Sequence, residues 1–135
     1  MDKALNYLAL ARKAGKAELG EEPAGAAARA LHAHVILVAS DASDHTWRRA
    51  KSFAAGTDQQ CIRVPFTKDE LGMAIGRSAL ALAAVTDAAL ALALAQSLPE
   101  ANPAVLQVLE EKVSKLKKRQ SEAKAHKRNV RKGKK

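Results

Sequence analysis

Cysteine is almost absent from this 135-residue sequence: Cys61 stands alone, so no intrachain disulfide can form and a reducing compartment such as the cytoplasm is expected. Aromatics are nearly as scarce. Tyr7, Trp47, Phe53 and Phe66 are scattered and mostly at core-facing positions, which argues against a sheet surface that stacks unpaired bases. No GxGxxG follows a strand pattern and no GxxxxGK[ST] occurs, so neither nucleotide-binding loop is present. The four histidines (His32, His34, His45 and His126) share no metal-ligand spacing with Cys61, and the pair in "HAH" is too few for a zinc site. The serines and aspartates of "SDASDHT" are what turns and helix caps need, and nothing there marks a nucleophile. Neither an enzyme, a metal nor a cofactor is expected. Nor is a membrane span: the run from Ser78 to Leu98 carries Asp87 in its middle, which would cost roughly 3 kcal/mol in a bilayer. The polar-interrupted start "MDKALNYLALARKAGK" does not read as a signal peptide.

What the sequence does have is an excess of positive charge, and that excess is all at one end. From Glu111 to Lys135 there are 12 Lys/Arg against 2 acids, whereas the first 110 residues carry 11 against 12. The net charge of +9 therefore belongs to the tail, and a polyanion such as nucleic acid is its natural partner. The hydrophobic fraction of 47% supports a core, and because much of it is alanine the helices should pack closely.

Strand and helix patterns alternate along the chain. Asp2 to Ala14 reads as an amphipathic helix ended by Gly15, Ala17 to Leu19 as a short strand, and Ala24 to His32 as an alanine-rich helix. "HVILVAS" is a β-branched run suited to a strand buried on both faces. A helix capped by Ser43 or Asp44 follows, with Trp47, Ala50 and Phe53 or Ala54 on one face, and Gly56 stops it. "QCIRVPF" is a further strand, Thr67 with Glu70 forms a capping box, and "LALAAVT" leads into a helix capped by Asp87. The expected fold is α/β: a three-layer α-β-α sandwich around a small mixed sheet of about four strands, with a basic, helical or disordered C-terminal tail. Residues 1–99 form the domain, 100–104 a linker, and 105–135 a charged helix and tail. In that helix Leu106, Leu109, Val113 and Leu116 make a short apolar stripe that docks on the domain or on a protein partner. The last residues, "KAHKRNVRKGKK", have almost nothing to bury and are expected to be disordered when free.

The segments "LALARKAGKAELGEE", "VILVASDAS", "TKDELGMAIGR" and "ALAAVTD", in this order and spacing, resemble the kink-turn RNA-binding superfamily of ribosomal proteins L-seven-Ae and L-thirty-e, in particular its bacterial YlxQ-like branch. The resemblance spans about residues 3 to 97. It implies an α-β-α sandwich with a mixed four-stranded sheet and binding of sharply bent RNA at the mouth of the helix after the first short strand. On that resemblance Gly20 lets the backbone approach RNA, and Glu21 and Glu22 stand at contact positions. Where the family pattern is roughly Gly-x-Asn-Glu-x-x-Lys, this chain has Glu22, Pro23 and Ala26 at the Asn, Glu and Lys positions. Glu22 can accept a hydrogen bond from a guanine but cannot donate one. Two glutamates and a proline also suit an ordinary first helical turn.

Lys13 and Lys16 flank the loop as candidate phosphate contacts, and Arg77 and Ser78, in the family's second contact loop before the last strand, are further candidates. Arg48, Arg49 and Lys51 read as solvent-facing charge. In the tail Lys117, Lys118, Arg119, Lys127, Arg128, Arg131 and Lys132 are the expected phosphate contacts. The resulting expectation is a ribosome-associated RNA-binding protein that acts in a ribonucleoprotein, with rRNA or another kink-turn-containing RNA as its partner. The alternative is a protein-interaction module that has lost its RNA loop and keeps only the tail's non-specific affinity.

Overall fold

A computed structural model describes residues 2–99 and 101–133, the stretch 124–133 by its backbone alone. Four strands, β1 (Ala17–Leu19), β2 (Val35–Val38), β3 (Gln60–Arg63) and β4 (Leu82–Val85), form one open sheet in the order β1-β4-β2-β3. β4 runs antiparallel to both β1 and β2, while β2 and β3 are parallel. The sheet is therefore mixed, as expected. Val35–Val38 and Leu82–Val85 are buried throughout because helices cover both faces.

One face carries α1 (Lys3–Lys13), α4 (Lys68–Ala74) and α5 (Ala88–Gln96), whose Leu8, Leu71 and Leu94, with Ile75 at the α4 C-cap, pack on Val35, Leu37, Ala83 and Val85. The other carries α2 (Glu21–Arg29) and α3 (Asp44–Ala54), with Ala24, Ala28 and Ala50 against Ile36, Val38, Leu82 and Ala84. Alternating strand residues serve the two cores, as the two-residue pleat requires. Side-chain caps start three helices where the sequence places them, Ser43 for α3, the Thr67–Glu70 box for α4 and Asp87 for α5, while Asp2, read as the first residue of α1, is its cap. Gln59, a buried polar side chain, ties the layers together. Its amide accepts from the Ala33 N–H at 3.0 Å and donates to the Ala28 carbonyl at 3.1 Å.

The last helix, α6 (Pro103–Gly133), differs from expectation. Its backbone stays helical through the stretch expected to be disordered, because Lys, Arg, Gln and Ala are strong helix formers and no breaker intervenes before Gly133. Of the apolar stripe, Leu109 is fully buried in the main core and Leu106 packs partly against it, together with buried Val105. Only Leu116 remains well exposed, at 40%. Lys112 adds an ion pair with Asp58 at 3.3 Å. Among the described residues no helix is long and apolar enough to cross a membrane.

Candidate nucleic-acid interface

β1, β2 and β3 all end at one edge of the sheet, where β4 begins, so the starts of α2, α3 and α4 gather there. At this edge Gly20 joins β1 to α2 with φ of 100° and ψ of 167°, a conformation other residues reach only with strain. Its N–H donates to the Leu82 carbonyl at 2.9 Å, which pins the junction to the start of β4. Among the described residues no side chain caps α2, so the amides of Glu21 and Glu22 face outward at the positive end of the helix dipole. Pro23 contributes no N–H. α2 thus starts three residues before the expected Ala24, because glycine breaks the helical path and proline is tolerated in a first turn.

The two glutamates have different surroundings. Glu21 is ion-paired with Arg49 of α3, whose guanidinium also lies 5.6 Å from the Phe53 ring centre. Arg49 therefore neutralises one of the two carboxylates at the α2 start, a role its exposed position in sequence did not reveal. Glu22 is exposed. Arg77 and Ser78, both exposed, lie in the loop 76–81 that runs from α4 to β4. The Arg77 N–H donates to the Gly72 carbonyl at 2.8 Å and the Leu80 N–H to the Lys68 carbonyl at 2.9 Å, so this loop folds back along α4.

Lys13 and Lys16 are elsewhere. They stand at the opposite edge, where the Thr86 N–H donates to the Lys16 carbonyl at 2.8 Å. Proximity in sequence suggested one cluster, but β1 carries the chain about 10 Å across the sheet between Lys16 and Gly20. Lys117, Lys118 and Arg119 are exposed on α6, and the side chains of Lys127, Arg128, Arg131 and Lys132 lie outside the described residues.

Two open grooves occupy the Lys16 edge. The first, of about 580 Å³, runs along α2 past Pro23, Ala26 and Ala30 to Leu31, with Lys16, Glu18, His32 and His34 around it. The second, of about 240 Å³, lies between Leu31, His34 and Asp58 on one side and Lys112, Lys115, Leu116 and Arg119 of α6 on the other. Leu31 and His34 border both. Leu31 sits at φ of 61° while 66% exposed. The Leu31 N–H to Ala28 carbonyl and His32 N–H to Ala27 carbonyl bonds, at 3.0 and 2.9 Å, close α2 in a turn that usually employs glycine. A leucine there costs about 1 kcal/mol and recovers little of it by burial. Neither Leu31 nor Lys112 and Lys115 carried a sequence signal that set it apart.

His34 is half-buried, and its Nδ1 is fully buried without a hydrogen-bond partner among the described residues. Burial lowers its pKa below the ordinary 6.5; Lys112 and His32 act in the same direction, while Asp87 and Asp58 oppose them. The unfolded chain then binds the proton more readily, so His34's contribution to stability is complete above about pH 6.5 and is lost as pH falls below it. Between pH 7 and pH 5 the parent's Tm should fall more steeply than that of His34→Gln. Parallel Tm curves would count against a burial penalty. Burial also pushes the Cys61 thiol up to about 11, which leaves it protonated at neutral pH. No group of three or more His, Cys, Asp or Glu able to hold a metal ion occurs among the described residues.

Comparison with known proteins fits this architecture. The RNA-binding protein YlxQ of Enterococcus faecium is 35% identical over 75 residues, covering 56% of this chain and 72% of that protein. A Bacillus halodurans protein described as of unknown function superposes with a TM-score of 0.67 at 29% identity, covering 74% of this chain and all of the other. The Giardia lamblia 15.5kD RNA binding protein superposes with a TM-score of 0.61 at 17% identity over 73% of this chain and 84% of its own, a likeness of fold. No family model matches the chain.

Proposed function

The chain belongs to the family of the RNA-binding protein YlxQ, and from that membership we propose that it is a non-enzymatic, cytoplasmic RNA-binding protein that recognises a bent, kink-turn-like RNA on the ribosome or in another ribonucleoprotein. The observation that carries this reading is the Gly20 junction. Its positive φ exposes backbone at a helix start with two outward amides, at the edge where the Arg77–Ser78 loop also emerges. Such amides suit phosphate or base-edge acceptors. Pairing of Glu21 with Arg49 lessens the repulsion a nearby phosphate would meet. The basic face of α6 and the residues after it supply sequence-independent phosphate affinity.

A second reading is favoured by the same loop: Pro23 removes a donor and Glu22 adds an exposed carboxylate, both poorly suited to RNA. Under it the domain binds a protein partner and only α6 holds nucleic acid. Fluorescence anisotropy of the full chain with a kink-turn RNA and an unbulged duplex of equal length separates the two. The first reading expects preference for the kink-turn that weakens in Arg77→Glu. Equal affinity for both RNAs, unaffected by Arg77→Glu, would reject it in favour of the second.

A further inference from the structure

The two grooves at the Lys16 edge are neighbours that share Leu31 and His34 on their rims. Taken together they begin at Pro23, in the first turn of α2, and follow that helix to Ala30 for about 10 Å before reaching α6. Four cations line the course: Lys16, Lys112, Lys115 and Arg119. Two carboxylates oppose them. Asp58 and Lys112 offset one another as an ion pair at 3.3 Å, which leaves Lys16, Lys115 and Arg119 against Glu18 among the described lining residues. The α6 cations recur at intervals of three and four residues, so they lie along one face of the helix, and burial of Val105 and Leu109 fixes that face toward Leu31 and His34. At the bend stands Leu31, exposed and held in a conformation better suited to glycine. That strain is not offset by burial, and it leaves the Leu31 side chain open to contact from outside the domain.

We propose that this track is a second RNA-binding surface, along which the sugar-phosphate backbone leaving the α2 start runs over Leu31 onto the Lys112, Lys115 and Arg119 face of α6. The inference rests on the RNA-binding reading and extends it. Over Lys112 to Arg119, α6 is a wall of the site. RNA is favoured over an acidic protein because one wall of the groove is the helix whose first turn presents the outward amides. Leu31 offers its apolar side chain to the sugar or base face while the flanking cations take the phosphates.

The test compares two charge reversals of equal size on the full chain. Lys115→Glu with Arg119→Glu strikes the track. Lys117→Glu with Lys118→Glu removes the same charge from residues outside its lining. With a kink-turn RNA whose stems each extend a further helical turn, the first pair should lower affinity about tenfold or more and reduce the salt slope by about two, and the second pair should do less than half of either. Leu31→Gly should weaken binding at least about threefold while Tm stays level or rises, because glycine relaxes the turn. Equal losses from the two charge pairs, or full affinity in Leu31→Gly, would overturn the track while leaving the parent's preference for the kink-turn intact. Loss of that preference in the parent itself would instead overturn the RNA-binding reading and the track with it. Polyglutamate displacing the RNA as well as a competing duplex of equal charge would make the groove a general polyanion surface and end its assignment to RNA.

Discussion

Replacing Gly72 with valine should be among the most damaging single changes in the domain. Gly72 is buried in α4, and a Cβ built on it would lie 2.7 Å from both the Cα and N of Ala79 and 2.9 Å from the Arg77 carbonyl oxygen. These are backbone atoms, so no side-chain rotation relieves the clash. The loop and helix must part, straining the Arg77-to-Gly72 and Leu80-to-Lys68 hydrogen bonds and shifting Leu71 and Ile75, which are only 2% exposed. The expected cost is about 3 kcal/mol, a large share of the roughly 5–15 kcal/mol that holds a typical domain together. Tm should drop by about 10 °C or more. Met73→Ala at the adjacent, 78% exposed position should change stability by no more than about 0.5 kcal/mol. Gly72→Val melting with the parent would mean that α4 does not lie against this loop. Because Arg77 and Ser78 sit on the displaced segment, any fraction of the variant that folds should also bind RNA less selectively.

The second large effect is electrostatic. If about six cations of α6 and the residues after it neutralise phosphates, affinity should fall on the order of 10³-fold between 50 and 200 mM salt. Replacing Lys127, Arg128, Arg131 and Lys132 together with glutamine should lower the salt exponent by about three to four. The ratio of kink-turn to duplex affinity should hardly change, since phosphate neutralisation carries no shape information. A salt exponent near zero in the parent would remove the basic helix from the interface. A collapse of the ratio in the glutamine variant would show that selectivity, not only affinity, resides there.

These two effects differ in how far they could be foreseen. The charge asymmetry is plain in the sequence, where Glu111 to Lys135 carries the whole excess of cations. The Gly72 contact is not, because its partner Ala79 meets it only after the chain has turned back along α4. The same division runs through the fold. Caps at Ser43, Thr67 and Asp87 and the buried runs of β2 and β4 were legible, because each depends on hydrogen bonds or burial within a few neighbouring residues. Of the two states expected for the tail, helical or disordered, the backbone takes the helical one as far as Gly133, in keeping with its helix-forming residues.

At the candidate site the sequence by itself determined the Gly20 junction, the unusual glutamate-rich turn after it and the basic tail, all of them properties of contiguous residues. Only the tertiary structure decided that Lys16 faces the opposite edge from Gly20, that Glu21 is paired with Arg49, and that Leu31 meets the Lys112–Arg119 face of α6. Each of those is set by where a strand or helix carries the chain before it returns. Side chains far apart in sequence are brought together by burial of Leu109 and the alanine-rich core, which act through surface area and leave no mark on the order of the residues.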